Sequence, residues 1–253
     1  MSAPSAEFWD RLPLGGGVRL ITRDENGVAA FAKPAGVLSH PNSPKDEPRA
    51  LLTCAYDPAQ ECFGWTGPDG SAHRLWLLNR LDSATSGVIL AAARETAARR
   101  IKEQFVRRQV HKAYLALVFG VPRAVRGRWR DRLAVEKRRG TIRTSPAGSL
   151  PAEAQFRVLR QRPGPPPLAL VQLDPQTGRS HQLRVQCARR GLPIVGDQTY
   201  GDFRLNRQFA RTTGCRRLFL HSLETRFRYE LGGRTFEFAA TAPPPPEFAA
   251  AVH

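Results

Sequence analysis

The stretch Asn79-Arg80-Leu81-Asp82-Ser83-Ala84-Thr85-Ser86-Gly87-Val88-Ile89-Leu90 sets a lone Asp two positions after an Arg. A Thr-Ser-Gly turn follows, and then an apolar run with the composition of a strand. A carboxylate at the mouth of a buried strand is costly unless a cation or hydrogen-bond donors hold it. Asp82 is therefore either firmly partnered or chemically employed.

Outward from that point, the chain reads as many short strands paired by local turns. Residues 18–23 and 28–33 flank the turn Asp24-Glu25-Asn26-Gly27. The Pro-rich polar stretch 41–48 reads as a loop, 75–78 leads into the Asp82 segment, and 87–92 is a central strand. Residues 96–106 predict a helix with Ala97, Ile101 and Phe105 on one stripe. Strands are expected at 113–121, 153–160 and 168–173, the last two joined by Arg162-Pro163-Gly164-Pro165-Pro166-Pro167. Ser180 is placed to cap a helix that runs to about Arg190 and closes at Gly191. Residues 218–229 and 234–240 alternate around Gly232-Gly233, a hairpin signal. The Pro run from Pro243 to Pro246 is expected to end ordered structure. The pattern predicts a mixed α/β (α+β) fold with a largely antiparallel central sheet. Residues 1–17 form an extension, 18–242 the main domain and 243–253 a Pro/Ala-rich tail.

The charge points to a partner. The 253 residues carry 39 Lys and Arg against 22 Asp and Glu, a net +17 with a pI near 11.1. Residues 94–143 alone hold 16 basic and 4 acidic side chains. So concentrated a patch is the electrostatic footprint of nucleic-acid binding, although an Arg-rich solvated face would look the same. Within it, 123–143 reads as a basic protruding loop or hairpin rather than core. Cys54, Cys62, Cys187 and Cys215 show no C-x-x-C spacing and suit a reducing cytosol. A zinc site from Cys54, Cys62 and His73 fits no ligand template. The N-terminus lacks the basic-then-apolar run of a signal peptide, and no apolar run approaches a membrane span. A soluble cytoplasmic protein is expected, without metal.

Several spaced motifs now agree with one another. Besides the Asp82 segment there are Lys33-Pro34-Ala35-Gly36 and Lys112-Ala113-Tyr114-Leu115-Ala116. Further on come Thr177-Gly178-Arg179-Ser180-His181-Gln182-Leu183-Arg184 and Gly191-Leu192-Pro193-Ile194-Val195-Gly196-Asp197-Gln198-Thr199-Tyr200-Gly201, then Leu218-Phe219-Leu220-His221. Together they resemble the RluA-type family of RNA pseudouridine synthases, over about residues 18–242. Asn79 and Gln186 stand where that family usually has His, and the chain begins too close to the catalytic segment to carry the S4-type RNA-binding domain of some relatives. The resemblance implies a pseudouridine synthase fold and a compact, single catalytic domain acting as a monomer on structured RNA, ribosomal or transfer.

The resemblance also implies roles. Asp82 is the catalytic residue, acting at the ribose by adding to C1′ or by assisting loss of a ribose proton. Tyr114 holds the freed uracil by its face, and Arg184 pairs with Asp82 and keeps it ionised. Arg80 fills the space left by the flipped base. Lys33, Thr85, Ser86, Lys112, Arg179, His181 and Gln182 are expected on the RNA side. Asp197 reads as structural, bonding backbone amides, and His221 as a satisfied structural histidine. Leaving group and nucleophile are the same base, so no cofactor is expected. Two other classes compete. A glycoside hydrolase would need two cooperating carboxylates and gains nothing from +17 charge. A catalytically silent RNA-binding or ribosome-assembly factor would have no reason to keep Asp82, Tyr114 and Arg184 together.

Overall fold

Short apolar runs punctuated by turn residues pair with their neighbours in sequence as hairpins. The computed structural model describes residues 4–138 and 141–252. Residues 1–3 of the extension, Arg139 and Gly140 in the basic segment and His253 of the tail lie outside the described residues. The chain forms two compact units, one up to Val110 together with Glu224–Ala242, the other His111–Leu223 with the segment from Pro243 onward. Both are mixed α+β with antiparallel strand pairing.

In the first unit, α1 (Ala6–Asp10) precedes the hairpin β1 (Arg19–Arg23) and β2 (Val28–Lys33). Asp24 shapes the hairpin turn, its Oδ1 accepting from the amides of Asn26 and Val28. Next come β3 (Ala55–Asp57), β4 (Cys62–Thr66), β5 (Ala72–Leu77) and β6 (Ser86–Ala92), of which β4, β5 and β6 each pair antiparallel with the one before. β2 pairs along β6 from Val28↔Ala92 to Lys33↔Gly87. β6 is buried at all seven positions, which is why it reads as an unbroken apolar run rather than an alternating one. Helix α2 (Glu95–Val106) buries Ala97, Ala98 and Ile101, and Ile101 packs in a cluster with Val88, Leu90, Phe227 and Phe238. The expected stripe holds at Ala97 and Ile101, with Phe105 packed at its margin.

β11 (Leu220–Leu231) and β12 (Arg234–Thr241) close the chain's last hairpin through Gly232 and Gly233. Both glycines have φ near +60° to +75°, the two-residue turn that matches strand twist. The stretch expected as a loop at 41–48 instead winds into a 3-10 turn over Pro44–Arg49. Pro44 pre-sets the backbone of its first turn.

In the second unit, β7 (His111–Phe119), β10 (Leu168–Pro175), β9 (Thr141–Arg162) and β8 (Arg126–Arg138) lie side by side in that order. The basic segment is indeed a hairpin, but the expectation that it stays out of the core is overturned. Trp129 is buried and stacks on Phe156 at 4.8 Å, and Leu133 is fully buried against Ala152 and Val185. Period-two alternation makes this possible: one face of β8 turns Trp129 and Leu133 inward, with Asp131 between them bonded to Gln186, while the other carries the arginines. α3 (Gln182–Arg189) packs on that inward face.

Ser180 does not cap α3. His181 holds the N-cap position at φ 53° without a side-chain capping bond, while Gly191 closes the far end as expected, its amide reaching Ala188. Two helices went unread: α4 (Phe203–Thr213), bounded by an Asp202 cap and Gly214 in the left-handed region, and α5 (Pro246–Ala250). The latter corrects the expectation that order ends at the Pro run, since Phe248 is buried against Phe219.

Gly196 shows how tightly the second unit is built. Its φ is +78°, and a Cβ there would stand 1.7 Å from the Arg217 carbonyl oxygen. Gly196→Ala is expected to destabilise the protein by about 3 kcal/mol or more, from strain and backbone displacement together. Thermal unfolding of the purified variant measures it; an unchanged midpoint would contradict this packing.

Candidate active site

The Asp82 loop is fixed within the first unit by backbone bonds. Ser39 is buried, and its hydroxyl donates to the Leu81 carbonyl at 2.7 Å while accepting from the Leu81 amide at 2.9 Å. The Thr85 amide closes back on the Asp82 carbonyl at 3.0 Å, and the Gly36 amide binds the Ser83 carbonyl at 2.7 Å. Asn79 accepts from the Leu90 amide at 2.8 Å, so the polar group standing in place of the family's His ties the loop to β6.

Lys33 was expected to face RNA. It is instead 1% exposed, its Nζ donating to the carbonyls of Pro34, Val37 and Ser83. That ammonium stitches the Lys-Pro-Ala-Gly turn to the Asp82 loop. Thr85 and Ser86 are likewise buried and lie inside the fold rather than on an RNA-facing surface. Arg80 and Ser83 are exposed and Asp82 between them is half-buried, so this part of the loop reaches the surface.

In the second unit the Thr-Gly-Arg-x-His-Gln motif is explained by one carboxamide. Gln182 Oε1 accepts from the Thr177 hydroxyl at 2.7 Å and the Arg179 amide at 3.1 Å, and its Nε2 donates to Glu153 O and Gln186 Oε1. Gln182 is therefore a buried brace, not an RNA contact. Gln186 is fully buried as well, donating to Asp131 and the Ala152 carbonyl. Arg179 is half-buried and donates to the Pro151 carbonyl at 3.3 Å.

Arg184 is gripped by Asp197. Its Nε donates to Oδ2 and its Nη2 to Oδ1, both at 2.8 Å, while Oδ1 also accepts from the amides of Thr199 and Tyr200. Tyr200 supports the guanidinium from its ring face, 5.1 Å from the centroid, and its hydroxyl meets His181 Nδ1 and the Thr144 amide. The expected amide contacts of Asp197 are present, and its hold on Arg184 is what the sequence reading missed. Burial pushes the Asp197 carboxyl up, but the hydrogen bonds and charge of Arg184, with the two amides, outweigh it and hold the pKa below the usual carboxylate range. Asn206 fixes the turn beneath, accepting from the Gly196 amide and donating to the Asp197 carbonyl.

Register places Tyr114 opposite Leu173, which lies opposite Phe156. Tyr114 therefore shares its sheet face with the apolar side of β8 and β9, where α3 packs. Lys112, two residues earlier, points the same way and brings its Nζ close to Gly178. Desolvation lowers its pKa to about 8. His221 is buried with its ring edge-on to Phe248, in keeping with the structural reading. Among the described residues no group of three or more His, Cys, Asp or Glu could hold a metal ion, and no helix is long and apolar enough to cross a membrane. Burial raises the pKa of Cys54 to about 12 and that of Cys62 above its ordinary value.

The strand pairing and the loops built around Asp82 and Arg184 define a class. Residues 27–189 match the model of the family described as RNA pseudouridylate synthase, and the chain belongs to that family. It is 31% identical over 234 residues to tRNA pseudouridine synthase C of Yersinia pestis, covering 88% of this chain and 86% of that one. It is 35% identical over 176 residues to ribosomal large subunit pseudouridine synthase C of Vibrio vulnificus, covering 67% of this chain and 52% of that protein. The chain thus spans about half the length of the ribosomal relative. Among solved structures, human RNA pseudouridylate synthase domain containing 1 superposes with a TM-score of 0.64 at 24% identity, over 92% of this chain and 87% of that one.

Two outcomes follow from these charges. Asp197→Asn removes one partner of a buried pair and is expected to cost about 3–5 kcal/mol in unfolding free energy. Because the Asp197 pKa is lowered by folding, the stability it confers is present at neutral pH and is lost as pH falls through the folded value. Lys112 has the opposite sign: folding lowers its pKa from 10.5 to about 8, so burying its charge costs stability below pH 8 and the cost fades towards 10.5. Lys112→Met should stabilise the protein on the order of 2–3 kcal/mol at pH 7 and progressively less at higher pH. Denaturant unfolding across that range checks both the size and the trend.

Proposed function

We propose that this chain converts specific uridines of structured RNA, ribosomal or transfer, to pseudouridine. The observation that carries the reading is the Asp82 loop, pinned by Ser39, Lys33 and Thr85 so that Arg80 is exposed and Asp82 stays partly accessible beside it. The family membership and the relatives' printed activities support it.

The reaction breaks the bond between N1 of the uracil and C1′ of the ribose, turns the base and forms a bond from C5 to C1′. A proton leaves C5 and N1 gains one, so the product is an isomer and no redox partner or group donor enters. Asp82 supplies the carboxylate at the ribose. Tyr114 offers a ring face to the detached uracil. Arg184, oriented by Asp197 and Tyr200, provides the cation that keeps the reacting carboxylate charged. The target base must leave its stack, at a cost of a few kcal/mol, and the exposed Arg80 is suited to occupy the gap. The protein is read as a cytoplasmic monomer that works without metal or cofactor.

Asp82→Asn separates this from a silent RNA-binding factor. Pseudouridine in the target RNA should vanish, mapped across total RNA from cells with and without the gene, while RNA affinity changes by less than about threefold. Modification that persists in the variant would remove Asp82 from the mechanism.

A further inference from the structure

The basic side chains of β8 do not share a face with Tyr114. Arg126, Arg128, Arg130 and Arg132 occur at every second position and are all exposed, while the intervening Trp129 and Leu133 are buried. The register fixes which way they point. The row Tyr114, Leu173, Phe156, Gly127 runs across the four strands on the side covered by α3. The adjacent row Leu115, Gln172, Arg157, Arg126 faces the other way. The arginine ladder therefore lies on the reverse of the sheet from the ring assigned to the uracil.

This reverse face is built at a cost to the fold. Arg126 stands directly across from Arg157, and like charges so placed are destabilising. Two carboxylates temper the five guanidiniums, and weakly: Glu153 lies 3.9 Å from Arg130, and Asp174 bonds to Gln172 instead. Arg132 reaches the Ser149 carbonyl at 3.3 Å, and Arg157 donates to Gln172 at 2.9 Å. No packing requires these heads, because the Trp129 side of the strand does the packing. Alternate residues of a strand step roughly 6.7 Å, so the ladder is about 20 Å long. Its step is close to that between successive phosphates of one nucleic-acid strand, and guanidinium suits phosphate better than any other side chain.

We propose that the outward face of β8 and β9 is a second RNA-docking surface, gripping the phosphates of a segment other than the one that holds the target uridine. The proposal rests on the reading of the chain as an RNA-modifying enzyme. It adds that recognition extends around the sheet to a distant part of a folded RNA, so long substrates are held more tightly than the minimal stem-loop.

The test uses the whole protein with Arg126, Arg128 and Arg157 changed together to Gln, all exposed positions, with thermal unfolding to confirm the fold. Binding is measured by titration against a large-subunit ribosomal RNA transcript, a full-length tRNA transcript and a minimal stem-loop around the mapped uridine, at several salt concentrations. The variant should bind at least one long RNA about tenfold or more weaker, with the slope of log K against log salt reduced by about 2, and bind the stem-loop as the wild type does. Equal binding of every RNA by the two proteins overturns the surface, and equal weakening on long and short RNA overturns its separateness. Wild-type protein that leaves all RNA unmodified would instead overturn the enzymatic reading beneath it, an outcome recorded independently by the uridine mapping.

Discussion

A buried carboxylate that accepts four hydrogen bonds organises the second unit. Asp197 receives two from Arg184 and one each from the amides of Thr199 and Tyr200. An isolated charge in that position would be expelled or neutralised; here the pair is kept because both carboxylate oxygens accept hydrogen bonds, three at Oδ1 and one at Oδ2. The same turn needs Gly196, since a backbone carbonyl occupies the space a side chain would fill, and Asn206 to bind both of its flanking peptide groups. Arg184 thus arrives with its plane and charge already set, as a group meant for electrostatic work should be.

In the first unit, organisation around Asp82 is achieved differently, by neutral and cationic donors to the main chain. Lys33 binds three carbonyls and Ser39 bonds both the amide and the carbonyl of Leu81. A fully buried lysine is rarely tolerated without such partners. The loop is held by its backbone, which fixes where Arg80 and Asp82 stand.

Much of this was legible in the sequence, and the parts that were not share a cause. The β1–β2 and β11–β12 hairpins, α2 and β6 were read correctly because turn residues and apolar periodicity are local signals. The motif around Asp82 and the Thr-Gly-Arg-x-His-Gln run identified the family. What a motif does not reveal is direction. Lys33, Thr85, Ser86 and Gln182 were expected to face RNA and are buried, Lys33 and Gln182 as braces, because a polar residue in a signature can serve the loop as well as the substrate. Trp129 was placed in a protruding segment because its neighbours are charged; the alternation of Arg with Trp, Asp and Leu was the overlooked clue. α4 carried its own signals in Asp202 and Gly214, yet lies between motifs and has an Arg-rich exterior.

The terminal position of β8 in its sheet has a further consequence. Among the described residues β8, thirteen residues long, ends the strand order with β9 as its neighbour, which leaves the amides and carbonyls of its other margin without a strand partner. Such margins recruit strands from other copies and seed insoluble aggregates. Four arginines along this one, in a chain of net charge +17, make the approach of a second copy repulsive. The same guanidiniums that would attract RNA therefore act as gatekeepers for colloidal stability, and their neutralisation by excess polyanion would lift that protection.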